Sequence, residues 1–256
     1  MYSIRRKLLS QNFLSSPQLV TRLVGSSSIG KNDLVLEIGP GKGIITQQLI
    51  QRAGHVVAVE LDNHFYHHMQ THFGHYSNLT LYHNDFLTHR LPRFPYKVFA
   101  NIPFAIEGKI IRYLIDAPNP PEDTYLVMQN ELAYRLAAPY KDNQFSLLHK
   151  PWFEFSILHT FKRTDFTPPA HVDAVLLRFK KKAAPLLPLA EKVAYQRFVM
   201  LGFGQGQSVR QNLKRIYKNE KVDAVLQQLS ISKHTKPSFI TLEQWLRLYI
   251  QLVKTS

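Results

Sequence analysis

Asn101, Ile102, Pro103 and Phe104 close an apolar run, YKVFANIPF, with the composition of a strand. Asn is a poor strand residue and Pro cannot continue a central ladder, so the strand ends there. A carboxamide and an aromatic ring are left at its open end. The Asn101 oxygen can accept from an exocyclic N–H. Pro103 fixes the loop and leaves the Ile102 carbonyl as a second acceptor. Phe104 offers a ring for base stacking, a contact worth roughly 1–3 kcal/mol. Two acceptors around one amine turn its lone pair toward an electrophile. No strong base is required, because the charged product amine loses its proton readily to water.

A second group could hold a ligand beside it. VLEIGPGKGIITQQL, residues 35–49, reads as strand, glycine loop and helix, with Gly39, Gly41 and Gly43 permitting a tight turn and a close backbone approach. Lys42 is followed by Gly43 rather than Ser or Thr, so this is not a P-loop. Ile44 stands where a dinucleotide fingerprint needs glycine. Alone, the loop could be a structural turn. Glu60, however, lies 19 residues after Gly41 at the end of the next strand, VVAVELD. A carboxylate there can accept both hydroxyls of a ribose, although strand-end acids are also common. Asp85 and Phe86 follow the third strand. Asp can bind an exocyclic amine and Phe can cover an adenine face. Together they point to an adenosine-containing cofactor at the carboxyl ends of strands.

The elements that must position these residues alternate strand and helix through the first two-thirds of the chain, which predicts an open, mostly parallel α/β sheet of Rossmann-like type. Two late strands, WFEFSILHTF and VDAVLLRF, are joined by a Pro-containing segment and are expected to lie together at the sheet's end. After KKKAAPLLP the pattern turns helical. The expected division is a catalytic domain over 1–181 and a small, basic, all-helical domain over 182–256.

Charge and composition bound the partners. The 256 residues carry a net charge of +14, with ordinary hydrophobic content and no cysteine, which excludes disulfides, thiolate metal sites and a cysteine nucleophile. Residues 180–256 hold 14 Lys and Arg against 4 Asp and Glu. Such asymmetry suits a nucleic-acid partner, while a solvated basic surface is the plainer alternative. No run is long enough to span a membrane, and a cytoplasmic monomer is expected.

SQNFL, VLEIGPGKGIITQQL, VVAVELD, NDFL, NIPF, KPWFEFSIL and RTDFTPPAHVDAVLLRF, in that order, resemble the erythromycin-resistance (Erm) rRNA adenine N6-methyltransferases. The wider family includes the small-subunit rRNA dimethyltransferases. The resemblance spans roughly residues 10–180. It implies S-adenosylmethionine (SAM) as cofactor, transfer of one or two methyl groups to adenine N6, and rRNA as substrate. By position it assigns Gln11, Asn12 and Leu14 to a lip over the methionine end of the cofactor and Gly39 and Gly41 to its backbone cradle. Glu60, with Leu61 beside it, goes to the ribose, and Asp85 with Phe86 to the adenine. Asn101 and Ile102 hold the target amine, Asn101 also facing the cofactor, with Phe104 stacked on the target base and Phe166 near it. NIPF and KPWFEFSIL lean toward the Erm side, which implies one adenine of 23S rRNA and macrolide-lincosamide-streptogramin B resistance. Small-subunit 16S dimethylation and a non-catalytic nucleic-acid-binding relative are the alternatives, and a dinucleotide oxidoreductase is more distant.

Two features stand apart. His64, His68 and His72 share one predicted helix face at metal-binding spacing, but no accompanying Glu motif is present and no metal is expected. SVRQNLKRIYK puts Arg210, Lys214 and Lys218 on one predicted helix face that could grip phosphates, or simply be solvated.

Overall fold

The computed structural model describes residues 12–138 and 141–254. They divide into two compact units: residues up to 133 with 155–181, and 134–154 with the residues from 182 on.

The first unit is built on strands β1 (Phe13–Leu14), β2 (Leu34–Ile38), β3 (His55–Glu60), β4 (Leu79–His83), β5 (Lys97–Asn101), β6 (Asp123–Gln129), β7 (Phe153–Thr160), β8 (Phe166–Thr167) and β9 (Ala174–Lys181). Between them run α1 (Pro17–Gly25), α2 (Ile44–Arg52), α3 (Asn63–Phe73), α4 (Glu107–Ile115) and α5 (Asn130–Ala137). The division between units falls inside α5 and β7.

Seven strands form one sheet in the order β4-β3-β2-β5-β6-β9-β7. β2 to β6 pair in parallel, and β9 runs antiparallel to β6. The two late strands are neighbours at the sheet's end. The inner strands are buried almost throughout, as a parallel sheet covered on both faces requires. The chain steps outward from β2 to β3 and β4, then returns to β5 on the other side of β2. The carboxyl ends of β2 and β5 therefore flank a topological switch point, where open α/β sheets bind ligands.

Local sequence explains the helices that frame this crevice. α1 starts where the Ser16 hydroxyl accepts from the Leu19 amide at 3.2 Å, with Pro17 in the first turn. Its Leu19, Val20, Leu23 and Val24 pack with Val35, Leu49 and Val56 in the core. Truncating a fully buried leucine such as Leu49 to Ala costs about 2–5 kcal/mol. Asp123 is buried, which pushes its carboxyl up, but hydrogen bonds from Arg178 at 2.9 and 2.6 Å outweigh this and leave it below the usual range. That pair ties β9 to β6.

The second unit holds α6 (Gln144–His149), α7 (Lys192–Gly202), α8 (Val209–Leu213), α9 (Asn219–Gln228) and α10 (Leu242–Tyr249). Its core is aromatic: Tyr195, Phe198, Trp245 and Tyr249 pack edge to face. Gly202 lies under Trp245, where any Cβ would collide with the indole. Residues 134–154, expected in the first domain, group with this unit. The physical reason is a set of bonds reaching far along the chain: Trp152 Nε1 donates to the Leu187 carbonyl at 2.9 Å, and the Leu186 amide to Pro151 at 2.9 Å. The Gln196 side chain reaches the Leu148 carbonyl at 3.1 Å. Among the described residues no helix is long and apolar enough to cross a membrane.

Candidate active site

The chain leaves β2 through three glycines with positive φ, at +62°, +55° and +81° for Gly39, Gly41 and Gly43. Two of them also need the absence of a side chain. A Cβ on Gly41 would lie 2.7 Å from the Phe13 ring, and one on Gly43 would collide with Phe73. Gly43 is also the N-cap of α2 and offers no side-chain acceptor, so the first amides of that helix stay uncapped. The loop thus presents backbone at its glycines, with the Phe13 ring packed over Gly41.

Glu60 ends β3 beside it. Its Oε2 accepts the Gly41 amide at 3.0 Å and its Oε1 the Asp62 amide at 2.8 Å. Burial raises this carboxyl, while those amides pull it back toward the charged form. After β4, Asp85 Oδ1 accepts the Leu87 amide at 2.9 Å and starts a short 3-10 turn, placing Phe86 edge-on to Tyr113.

Asn101 ends β5. Its Nδ2 donates to the Asn12 carbonyl at 2.7 Å. Its Oδ1 is buried and has no hydrogen-bond partner. The Ile102 amide donates to the Val127 carbonyl at 3.2 Å, which holds the NIPF loop against β6. Below it Glu107, at the start of α4, accepts the Gln129 amide at 3.0 Å; burial pushes its carboxyl up to about 7.

These residues line one cleft of about 950 Å³, its open mouth included. Asn12, Leu14, Gly39, Gly41, Glu60, Leu61, Asp85, Phe86, Asn101, Ile102 and Pro103 all face it. Gln11 lies outside the described residues. Phe13, Lys42 and Glu37 line it too. Phe13 covers the glycine loop, with Lys42 Nζ 5.3 Å from its ring centre. Glu37 is fully buried at the end of β2 with Oε2 unpartnered. Burial pushes its carboxyl up to about 8, against the pull of Thr46 and with the added push of Glu60. Its only sequence signal is its place two residues before the first glycine of the loop.

Phe104 and Phe166 do not line the cleft. Both are buried in the core, 5% and 2% exposed, packed edge to face at 6.5 Å, with Phe161 against Phe166 at 5.4 Å. Neither offers an open face to a base; the rings stiffen the NIPF loop from behind. Over SVRQNLKRIYK, helix α8 is followed by one further hydrogen-bonded turn, Tyr217 N–H to the Leu213 carbonyl at 3.0 Å. α8 stops at Leu213, Lys214 is its C-cap, and Lys218 is the exposed N-cap of α9. Arg210 meets Asp223 at 2.6 and 2.9 Å, and Lys214 meets it at 2.8 Å. The hydrogen bonds from Arg210 and Lys214 hold that carboxyl well below the usual range.

On α3, the His68 and His72 rings lie 4.1 Å apart, tilted by 32°, and His72 Nδ1 lies 2.8 Å from the His68 carbonyl. No group of three His, Cys, Asp or Glu among the described residues could hold a metal ion.

Among the described residues the lining includes no Ser, Thr, Cys, His or Tyr. What the cleft supplies is a backbone cradle, carboxyl groups and, at Asn101, an unpaired amide oxygen, a set suited to orienting two reactants.

Comparison with known proteins agrees with that geometry. The family model described as ribosomal RNA adenine dimethylase matches residues 3–254. The rRNA adenine N-6-methyltransferase of Aeromicrobium erythreum is 30% identical over 247 residues, covering 95% of this chain and 72% of that protein. The ribosomal RNA small subunit methyltransferase A of a Nostoc species is 31% identical, covering 95% of this chain and 96% of that protein. The crystal structure of the 23S rRNA methyltransferase ErmE superposes with a TM-score of 0.83 at 29% identity, over 94% of this chain and 99% of that one.

Proposed function

The chain belongs to the ribosomal RNA adenine dimethylase family, and on that premise we propose that it methylates N6 of a specific adenine in 23S rRNA and thereby protects ribosomes from macrolide, lincosamide and streptogramin B drugs. It is an rRNA adenine N6-methyltransferase that uses SAM. The cleft fits that cofactor, since a bare glycine cradle and a rigid buried carboxylate stand where a nucleoside needs them. When bound, SAM supplies an electrophilic methyl group on a sulfonium.

The chain's own residues then have these roles. Glu60 receives the ribose hydroxyls on the lone pairs its two amide partners leave free. Asp85 and Phe86 hold the adenine, Gly39 and Gly41 approach the backbone of the ligand, and Asn12, Leu14 and Leu61 close the cleft around it. Asn101 Oδ1 and the Ile102 carbonyl accept from the target amine, turning its lone pair inward, while Pro103 and the buried Phe104 keep the loop rigid. The target adenine must leave its stack to reach such a cleft. The observation that carries this reading is Asn101 Oδ1, a buried acceptor without a partner at the switch point. A buried acceptor left unsatisfied costs about 1–3 kcal/mol, which an incoming N–H recovers. Lys218 and the basic surface of the second unit are assigned to RNA phosphates. The enzyme is placed in the cytoplasm as a monomer.

One observation favours a second reading. The Nostoc relative named for the small subunit is as similar as the one named for rRNA adenine, and over nearly its whole length. Labelled SAM offered with protein-free 23S rRNA and, separately, with immature small-subunit particles decides between them. Label at one adenine of 23S rRNA is expected; label only on the small subunit replaces the target and keeps the chemistry.

A further inference from the structure

Residues 12–15 touch three parts of the site at once. The Asn12 carbonyl takes the hydrogen bond from Asn101 Nδ2 at 2.7 Å. Phe13 lies on Gly41, within 2.7 Å of where a Cβ would be. Phe13 and Leu14 form β1 and pair with Thr167 and Phe166 of β8. Ser15 secures that pairing twice, its amide donating to the Asp165 carbonyl at 2.9 Å and its hydroxyl at 3.0 Å.

The carboxamide of an asparagine has nearly the same shape in either of two orientations, and only its partners select one. Here the selecting partner is a backbone carbonyl, which can only accept. It engages Nδ2 and so commits Oδ1 to the other side, where it is buried and unpaired. Reversed, the amide would set oxygen against oxygen at the 2.7 Å now spanned by a hydrogen bond.

We propose that the segment Asn12–Ser15 is a positioning clamp for the reaction: the Asn12 carbonyl sets the orientation of the Asn101 amide, and Ser15, fastened to Asp165, holds that carbonyl in place. This rests on the reading of Asn101 as the acceptor for the target amine. The clamp carries no reacting atom. It acts by denying Asn101 the orientation in which an NH2 would face the incoming amine, and by limiting its displacement, to which reaction rates are steeply sensitive. Because the same four residues bear on the cofactor loop, the acceptor is set only while the glycine cradle is covered.

Three variants test this in the full chain: Ser15→Pro, which lacks both donors, Ser15→Thr, which keeps both, and Asn101→Asp, which keeps acceptors but has no donor for the Asn12 carbonyl. Single-turnover methyl transfer is measured at saturating SAM and RNA, SAM affinity by calorimetry, and the Asn101 side-chain amide by 15N NMR in the Ser15 variants. Ser15→Pro is expected to slow transfer at saturating SAM at least tenfold, whatever its effect on SAM affinity, with the hydrogen-bonded amide proton signal lost. Ser15→Thr should retain both rate and signal. Asn101→Asp should lose at least a hundredfold. The proposal is overturned if Ser15→Pro weakens SAM binding but keeps the wild-type rate at saturation, or if Asn101→Asp reacts at the wild-type rate. Should Ser15→Pro not fold, Asn101→Asp decides alone. A fully active Asn101→Ala would instead remove the underlying reading of Asn101.

Discussion

Glu60 and Gly41 are joined across the mouth of the cofactor cleft by a single hydrogen bond, Gly41 N–H to Glu60 Oε2 at 3.0 Å. With the Asp62 amide on the other oxygen, the carboxylate is fixed before any ligand arrives. Glu60→Gln keeps the size but turns an NH2 toward one of two N–H donors. Hydrogen bonds to charged groups contribute about 1.5–3 kcal/mol, so SAM affinity should fall roughly 10- to 100-fold by titration calorimetry. Unchanged affinity would take the ribose away from Glu60.

Gly41→Ala meets two obstacles, the Phe13 ring and a φ of +55°. SAM binding should be lost or weakened at least 30-fold. Adding Phe13→Ala relieves the collision but not the backbone, whose left-handed conformation costs roughly 1–2 kcal/mol for a residue with a Cβ. The double variant should therefore recover only part of the affinity; full recovery would show that sterics alone make this position glycine.

Asn101→Ala removes the unpaired acceptor without touching the cradle. Methyl transfer should drop at least 100-fold, in line with the roughly 2.7–4 kcal/mol lost when a preorganised polar group is deleted at a reacting centre. RNA binding, measured by filter retention, should stay within a factor of three.

Burial raises Glu37 to about 8 and Glu107 to about 7 from an ordinary 4.5. Between those values the folded chain holds protons that the unfolded chain has released. Stability from these groups is therefore full at pH 4.5 and below and declines as pH rises toward 8. Glu37→Gln removes its share of that slope. Tm should fall less between pH 5 and pH 8 in the variant than in the wild type, by several degrees given about 2–4 °C per kcal/mol at this chain length. Equal slopes would mean Glu37 is ionised in the folded state.

Asp223 now occupies Arg210 and Lys214. Asp223→Asn frees both cations. If they face RNA, affinity should rise and the slope of log affinity against log salt should steepen by up to about 1.4, from two further phosphates at about 0.7 each on single strands. An unchanged slope would place the RNA elsewhere.

The cleft was legible in the sequence because each of its main residues breaks an apolar run with a type that does not belong in a strand. Gly39, Glu60, Asp85 and Asn101 each stand at or just beyond the end of a strand, and the sheet order brings those ends together. What was not legible depended on the far side of the chain. Phe104 looks like an available ring until Phe166, 62 residues on, covers it. β1 and β8 are two residues each, too short for any periodicity, yet they carry the clamp. The helix expected through Lys218 contains no Pro or Gly to stop it; α8 ends at Leu213, and a last turn, in which the Leu213 carbonyl accepts from Tyr217 and Ile216 at 3.0 and 3.1 Å, carries the chain to Tyr217 before α9 begins. Residues 134–154 have the composition of the first domain and are claimed by the second through bonds such as Trp152 to Leu187.

Every described residue lining the cleft lies from position 12 to position 110 of the chain. The lining thus comes from one contiguous block, held in shape from outside it by the Val127 carbonyl on Ile102 and the Asp165 carbonyl on Ser15.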